Sequence, residues 1–177
     1  MRKLLLGCLA ALAPLSVAFA GSPPAHFADA DNDGLISQGK QIYRAQCSAC
    51  HGRSLEGQPL WQLQDQYAHR RAPAHDASGH TWQHSDEDLF HMTKYGRFPG
   101  VPNSIRSYMP AFEKRLSDGQ ILAVLAYIKA NWPLGIRVSQ SLLNPHFRGL
   151  PRDADKVAWT LPPICTASYT RWKVISR

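Results

Sequence analysis

The sequence predicts a mostly α-helical domain that ends in an irregular C-terminal tail. Two observations lead there. Three segments carry helix signals, apolar residues at three- and four-residue steps in the first and last and capping residues in the second, and the stretches between them are long and rich in Pro, Gly and polar residues. Loops of that length are unusual in a compact domain unless something besides side chains supplies the core. Beyond Pro133 the periodicity weakens. Val157, Trp159, Leu161, Val174 and Ile175 are scattered among prolines and charges, which predicts an extended tail with at most one short strand.

The first helix is expected over residues 35–50, "LISQGKQIYRAQCSAC", with Ile36, Gly39, Tyr43 and Cys47 on one face. An internal glycine costs about 1 kcal/mol against alanine, so Gly39 implies close contact with a second helix. A second helix is expected over residues 85–95, "SDEDLFHMTKY". Ser85 is its N-cap, acids fill its first turn, and Gly96 is its stop. The third, in "LSDGQILAVLAYIKANWP", pairs Ser117 with Gln120 as a capping box. Its buried face is Ile121, Val124, Leu125, Ile128 and Trp132, and Pro133 lies just beyond.

The N-terminal "MRKLLLGCLAALAPLSVAFA" reads as a cleaved secretory signal, with Arg2 and Lys3 before an apolar run and Ala18-Phe19-Ala20 before Gly21. The uncharged run of 17 residues is interrupted by Pro14, and a spanning helix needs about 20 apolar residues, so no transmembrane anchor is expected in the mature chain. "LLGC" resembles a lipoprotein box at Cys8, but too few residues precede it to form a hydrophobic region. The expected division is residues 1–20 as signal, 21–34 as lead and turn, 35–135 as the main domain, and 136–177 as a basic tail packed on it or extending from it. Export to the periplasm follows, and an exported chain is not expected to bind nucleic acid.

Of the 20 basic and 13 acidic residues in the full chain, 18 and 13 would remain after cleavage. Residues 21–135 balance at 11 of each sign, so the excess lies in residues 136–177, with seven basic and two acidic side chains. Such a tail can steer toward an acidic partner or an anionic membrane.

The chemistry is concentrated in "CSACHG", Cys47 to Gly52. A redox dithiol normally sits where a strand feeds a helix, and no strand precedes Cys47. Structural zinc needs four ligands; His80 and His84 have suitable spacing, but zinc leaves the long loops without a core. A Cys-x-x-Cys-His run in an exported chain points instead to one covalently attached haem c. Cys47 and Cys50 would be its thioether attachments, His51 its axial ligand, and the macrocycle the missing core.

From these residues the chain resembles the class I c-type cytochromes, specifically bacterial monohaem members, over about residues 35–133. "GKQIYRAQCSACHG" is similar to the family's first helix, with Gly39, Tyr43 and Cys47 as its packing face. "ILAVLAYIK" is similar to the last helix, with Val124 and Tyr127 meeting the first. The resemblance implies a few helices around one haem, the first and last crossing steeply beside it. The protein would be an electron carrier rather than an enzyme, serving a dehydrogenase, an oxidase or another carrier.

The sixth iron ligand has several candidates. "SYMPAF" places Met109 in a loop ahead of the last helix, 58 residues after His51. The family carries its methionine ligand in such a Met-Pro context, and that implies Met109. Met92, inside the second helix, is better suited to core filling; a histidine is the other alternative. In the family a proline carbonyl often fixes the axial histidine's second ring nitrogen. Pro73 is the candidate here and Pro59 the alternative. "GHTWQHSD" resembles a segment of some relatives, which puts Trp82 and His80 in the haem surroundings.

Other features have plainer readings. "DADNDGLISQGK" matches several positions of a calcium loop, but Lys40 stands where a bidentate carboxylate must bind, so a turn and N-cap is expected. His69, His75, His80, His84 and His91 crowd one stretch, and a copper or zinc site is the alternative to solvated or hydrogen-bonded rings. Cys165 is read as a buried thiol, with an intermolecular disulfide or metal-binding thiol as alternatives. A haem enzyme or sensor with a labile sixth ligand, or a copper-handling protein, is the rival function.

Overall fold

The computed structural model describes residues 27–63, 69–98, 108–144 and 149–156. The signal segment, Cys8, Cys165 and the suggested strand in the tail lie outside the described residues. Five helices follow in order: α1 Asp33–Gln46, α2 Ser48–His51, α3 Asp86–Tyr95, α4 Asp118–Ala130 and α5 Leu134–Ser141. Short 3₁₀ turns occupy Thr81–Gln83 and Ala154–Lys156. No strand occurs among the described residues, in agreement with the mostly α fold expected.

The helix starts have local causes. The Asn32 side chain accepts from the Leu35 N–H at 3.0 Å and starts α1. Its neighbour Asp29 accepts from the Asp31 N–H at 2.9 Å, so the acidic stretch forms a turn before the helix. Ser85 caps α3 by accepting from the Asp88 N–H at 3.1 Å. At α4 both halves of the capping box form: Ser117 Oγ accepts from the Gln120 N–H at 3.3 Å, and Gln120 Oε1 accepts from the Ser117 N–H at 2.9 Å.

Helices α1 and α4 pack together at Gly39, which is buried. A Cβ at Gly39 would stand 1.9 Å from the Ala123 carbonyl oxygen, so only glycine lets the two backbones come this close. Next along this face, the rings of Tyr43 and Tyr127 lie 5.4 Å apart. Tyr43, Phe90, Ile121, Val124 and Val138 are among the largest fully buried side chains. Helix α4 is buried on more than the one predicted face: Ala123, Ala126, Tyr127 and Lys129 are enclosed as well.

Two expectations require correction. The first helix is not continuous to residue 50; it ends at Gln46, and a separate single turn, α2, carries Ser48–His51. The extended chain expected after Pro133 is a helix over Leu134–Ser141, and the expected domain boundary at residue 135 falls inside it. Proline lacks an N–H and has a preset φ, which suits it to a helix start as well as a stop. Pro133 (φ −51°) does both, ending one helix and opening the next.

Helix α5 is held by polar contacts. The fully buried Asp86 carboxylate accepts from Lys129 Nζ at 2.7 Å, Gln140 Nε2 at 2.7 Å and the Ala28 N–H at 2.9 Å. Asn144 Oδ1 accepts from the Asp86 N–H at 2.7 Å. One carboxylate thus ties the lead segment, α3, α4 and α5 together. Burial pulls the Lys129 ammonium below its ordinary pKa, with Asp86 opposing that shift.

Candidate functional site

Between α2, the 69–75 segment, α3, α4 and the Met109 loop lies a cavity of about 690 Å³. Cys47, Cys50, His51, Pro73, Met92 and Met109 all contribute to its wall, and Leu89, Val124, Leu125 and Ile128 provide an apolar lining. A cavity of this size is in the range of cofactor and ligand sites.

The turn α2 sets the spacing of the motif. The N–H groups of Cys50 and His51 donate to the Cys47 carbonyl at 3.1 and 2.9 Å, which draws the two cysteines and the histidine into one tight coil. Tyr43, packed against α4, donates its hydroxyl to the carbonyls of Gly52 (3.0 Å) and His51 (3.3 Å). The same side chain therefore joins the helix crossing to the motif. Burial pushes the Tyr43 hydroxyl above its ordinary pKa and keeps it a donor. Burial, with Cys50 alongside, pushes the Cys47 thiol up to about 11. Cys50 is exposed and Cys47 partly buried.

His51 is buried, and its Nδ1–H donates to the Pro73 carbonyl at 2.9 Å. That donation commits the ring to one tautomer and leaves Nε2 with its lone pair free. Burial holds the His51 pKa below the ordinary imidazole value, with the Pro73 bond opposing it. The Pro73 segment is itself tied down, since Ala72 exchanges hydrogen bonds with Gln58 at 3.0 and 2.9 Å. The alternative, Pro59, uses its carbonyl to accept from Arg71 instead.

Met109 sits in a bend pinned to the end of α3. The N–H groups of Phe112 and Glu113 both donate to the Lys94 carbonyl at 3.0 Å. Gly96, left-handed at φ +70°, closes α3 directly beneath the Met109 carbonyl.

The remaining predicted residues are distributed. Trp82 packs on the core and donates its indole N–H to the Gly79 carbonyl at 2.9 Å, while its neighbours His80 and Thr81 line the cavity. Among the clustered histidines, His80 and His84 meet edge to face with centroids 5.6 Å apart, and each ring has a further partner. His69 Nδ1 meets the Tyr108 hydroxyl at 2.8 Å, His80 stacks on Trp61, His84 meets Phe98, and His91 pairs with Glu87. Among the described residues no three His, Cys, Asp or Glu side chains gather as a metal site. In the calcium-like loop, Asp31 is engaged by Arg137 and Arg152. His75, read only as one of the cluster, proves to be stacked on His51. No periodicity or spacing signals a contact of that kind.

Residues 34–128 match the protein family described as cytochrome C oxidase, cbb3-type, subunit III. The chain is 29% identical over 137 residues to a cytochrome bc1 complex cytochrome c subunit of Corynebacterium efficiens, which covers 74% of this chain. It spans only 40% of that relative's length. A similar solved structure is cytochrome CL from Methylophaga aminisulfidivorans, at 22% identity and a TM-score of 0.44, covering 68% of this chain and 74% of that one. No helix among the described residues is long and apolar enough to cross a membrane. With a family match over more than half its length, running through Cys47, Cys50 and His51, the chain belongs to this cbb3-type cytochrome c oxidase subunit III family and is a class I c-type cytochrome, whose cofactor is covalent haem c.

Proposed function

We propose that the protein is an exported, single-haem electron carrier whose iron is held between His51 and Met109. Cleavage after Ala20 would release it to the periplasm, with a haem domain that begins near residue 35 and extends through α5, and a basic C-terminal tail after it. The observation that carries this reading is the shared cavity: Cys47, Cys50, His51 and Met109 line one space of about 690 Å³ with apolar walls.

The residues present fit the group. Cys47 and Cys50 would hold haem by thioether bonds, and His51 offers Nε2 because Nδ1 is spent on Pro73. Bound haem supplies a ferric–ferrous couple that exchanges one electron without breaking a bond. The protein's own contribution is rigidity and dryness. Val124, Leu125 and Ile128 give the cavity apolar walls, and the Met109 loop, tied to α3, would keep a soft sulfur donor in place, which would favour the reduced state. Cys50 is exposed, so a partner can approach on that side over a small, short-lived interface.

The family description and the relative's membership of a cytochrome bc1 complex support a respiratory oxidase or a bc1-type complex as the redox partner. The net +5 of the cleaved chain comes from its tail and would steer it toward an acidic docking face.

The test is the purified, processed protein. The expected result is an intact mass of the chain from Gly21 plus one haem, and a ferric spectrum with the sulfur-to-iron band near its red end. Met109→Ala should abolish that band while keeping the haem attached. A colourless product, or a high-spin ferric spectrum in the unaltered protein, would overturn the reading.

A further inference from the structure

We propose that His75 is a positioning residue that sets the ring plane of His51 by stacking on it; this rests on the reading of His51 as the axial ligand. The two imidazoles lie nearly parallel, with centroids 4.0 Å apart and planes inclined by 19°. Both line the cavity. The hydrogen bond from His51 to Pro73 fixes the position of Nδ1. It holds only one edge of the ring, and some rotation about the Cβ–Cγ bond remains. A flat partner against the ring's face removes that rotation, and the two contacts together define the plane.

His75 is built to serve as a fixed surface. Its N–H donates to the Leu55 carbonyl at 2.7 Å, and its own carbonyl accepts from the Trp132 indole N–H at 2.7 Å. Its ring Nδ1 lies 2.9 Å from Thr81 Oγ1. The Thr81 hydroxyl, which also lies 3.4 Å from the Ala74 carbonyl, shares one hydrogen bond with that ring nitrogen. Backbone and ring are thus held from both sides, and the ring plane of His75 is passed to His51.

The consequence is electronic. The plane of an axial imidazole decides which iron d-orbital it donates into, and with it the anisotropy of the ferric state. His75 would therefore tune haem electronics without touching iron.

The experiment compares His75→Leu and His75→Phe in the holoprotein, read by the ferric EPR g-values and the order and spread of the haem-methyl proton resonances. His75→Leu removes the flat face and should change the methyl order and shift the g-values. His75→Phe keeps a flat ring and should stay close to the unaltered protein. An unchanged pattern in His75→Leu would overturn the proposal, as would a change in His75→Phe as large as that in His75→Leu. If neither variant retains haem, Thr81→Val decides. It frees the His75 ring from its anchor and should shift the methyl pattern in the same direction, by less, and an unchanged pattern there rejects the idea. The unaltered protein is recorded first: if it lacks a low-spin His/Met spectrum, the axial assignment fails instead.

Discussion

Gly39 lies so close to Ala123 that the two helices meet backbone to backbone, with a virtual Cβ 1.9 Å from the Ala123 oxygen and 2.9 Å from Tyr127 Cβ. Alanine at residue 39 would gain about 1 kcal/mol in helix propensity, but the obstacle is main chain and cannot rotate away. Overpacking of this kind costs about 1–3 kcal/mol and at times more. Gly39→Ala should therefore lower stability by roughly 2 kcal/mol or more, measured as a reduced denaturant midpoint with an unchanged slope. A neutral or stabilised variant would mean that α1 and α4 are not this close.

The same logic applied to Gly96 predicts a different outcome. A Cβ there would sit 2.6 Å from the Met109 carbonyl oxygen and 2.9 Å from the Ala111 nitrogen, on a backbone already at φ +70°. The strain of a non-glycine in that conformation is on the order of 1–3 kcal/mol, and the clash is with the loop that presents the proposed ligand. Gly96→Ala should keep its haem, but on heating it should lose the red-end sulfur band well before the helices melt, monitored by far-ultraviolet circular dichroism. Simultaneous loss of both signals would separate Gly96 from the methionine loop.

How far the sequence could be read follows from which contacts are local. Ser85, Gly96, Ser117 and Gln120 act within four residues of their own helix ends, so their roles were visible in the chain. The motif at Cys47–His51 is equally local, and Pro73 came within reach only through family likeness. Helix α5 stayed hidden because its buried face includes Gln140 and Ser141, followed by Asn144, polar residues that satisfy Asp86 or backbone carbonyls rather than join an apolar core. A hydrophobic-periodicity reading counts those positions as exposed. The His75–His51 stack was out of reach for a related reason: it joins residues 24 apart through a loop of no regular structure.

The Asp86–Lys129 pair gives a test of that polar hub. Lys129→Met would leave the buried carboxylate with Gln140 and the Ala28 N–H but no counter-charge. Removing one partner of a buried pair typically costs about 3–5 kcal/mol. Adding Asp86→Asn removes the stranded charge and should restore part of that loss. The double variant is then less destabilised than the two single effects summed, in urea denaturation of all four proteins. Additive effects would show that the ammonium and the carboxylate are not coupled.

Asp31 supplies a pH-dependent clasp. Its side chain accepts from the Arg137 guanidinium and, at 2.7 Å, from the Arg152 N–H, joining the segment before α1 to α5 and to residues 149–156. Partial burial pushes its pKa upward, but the Arg152 hydrogen bond and the Arg137 guanidinium outweigh that and hold it below 3.8. With the folded value depressed, the unfolded chain binds more protons between that value and 3.8, so stability rises with pH across this window. The clasp's contribution is fully present above the window and disappears as pH falls through the folded value. The pair is partly open to solvent, which limits its worth to about 1 kcal/mol or less. Asp31→Asn should melt slightly below the unaltered protein at neutral pH, and the two melting temperatures should converge as the pH falls below 3.8 and through the folded value. High salt should narrow the neutral-pH gap in the same way. A gap that stays constant with pH and salt would show that Asp31 holds these segments by shape rather than by charge.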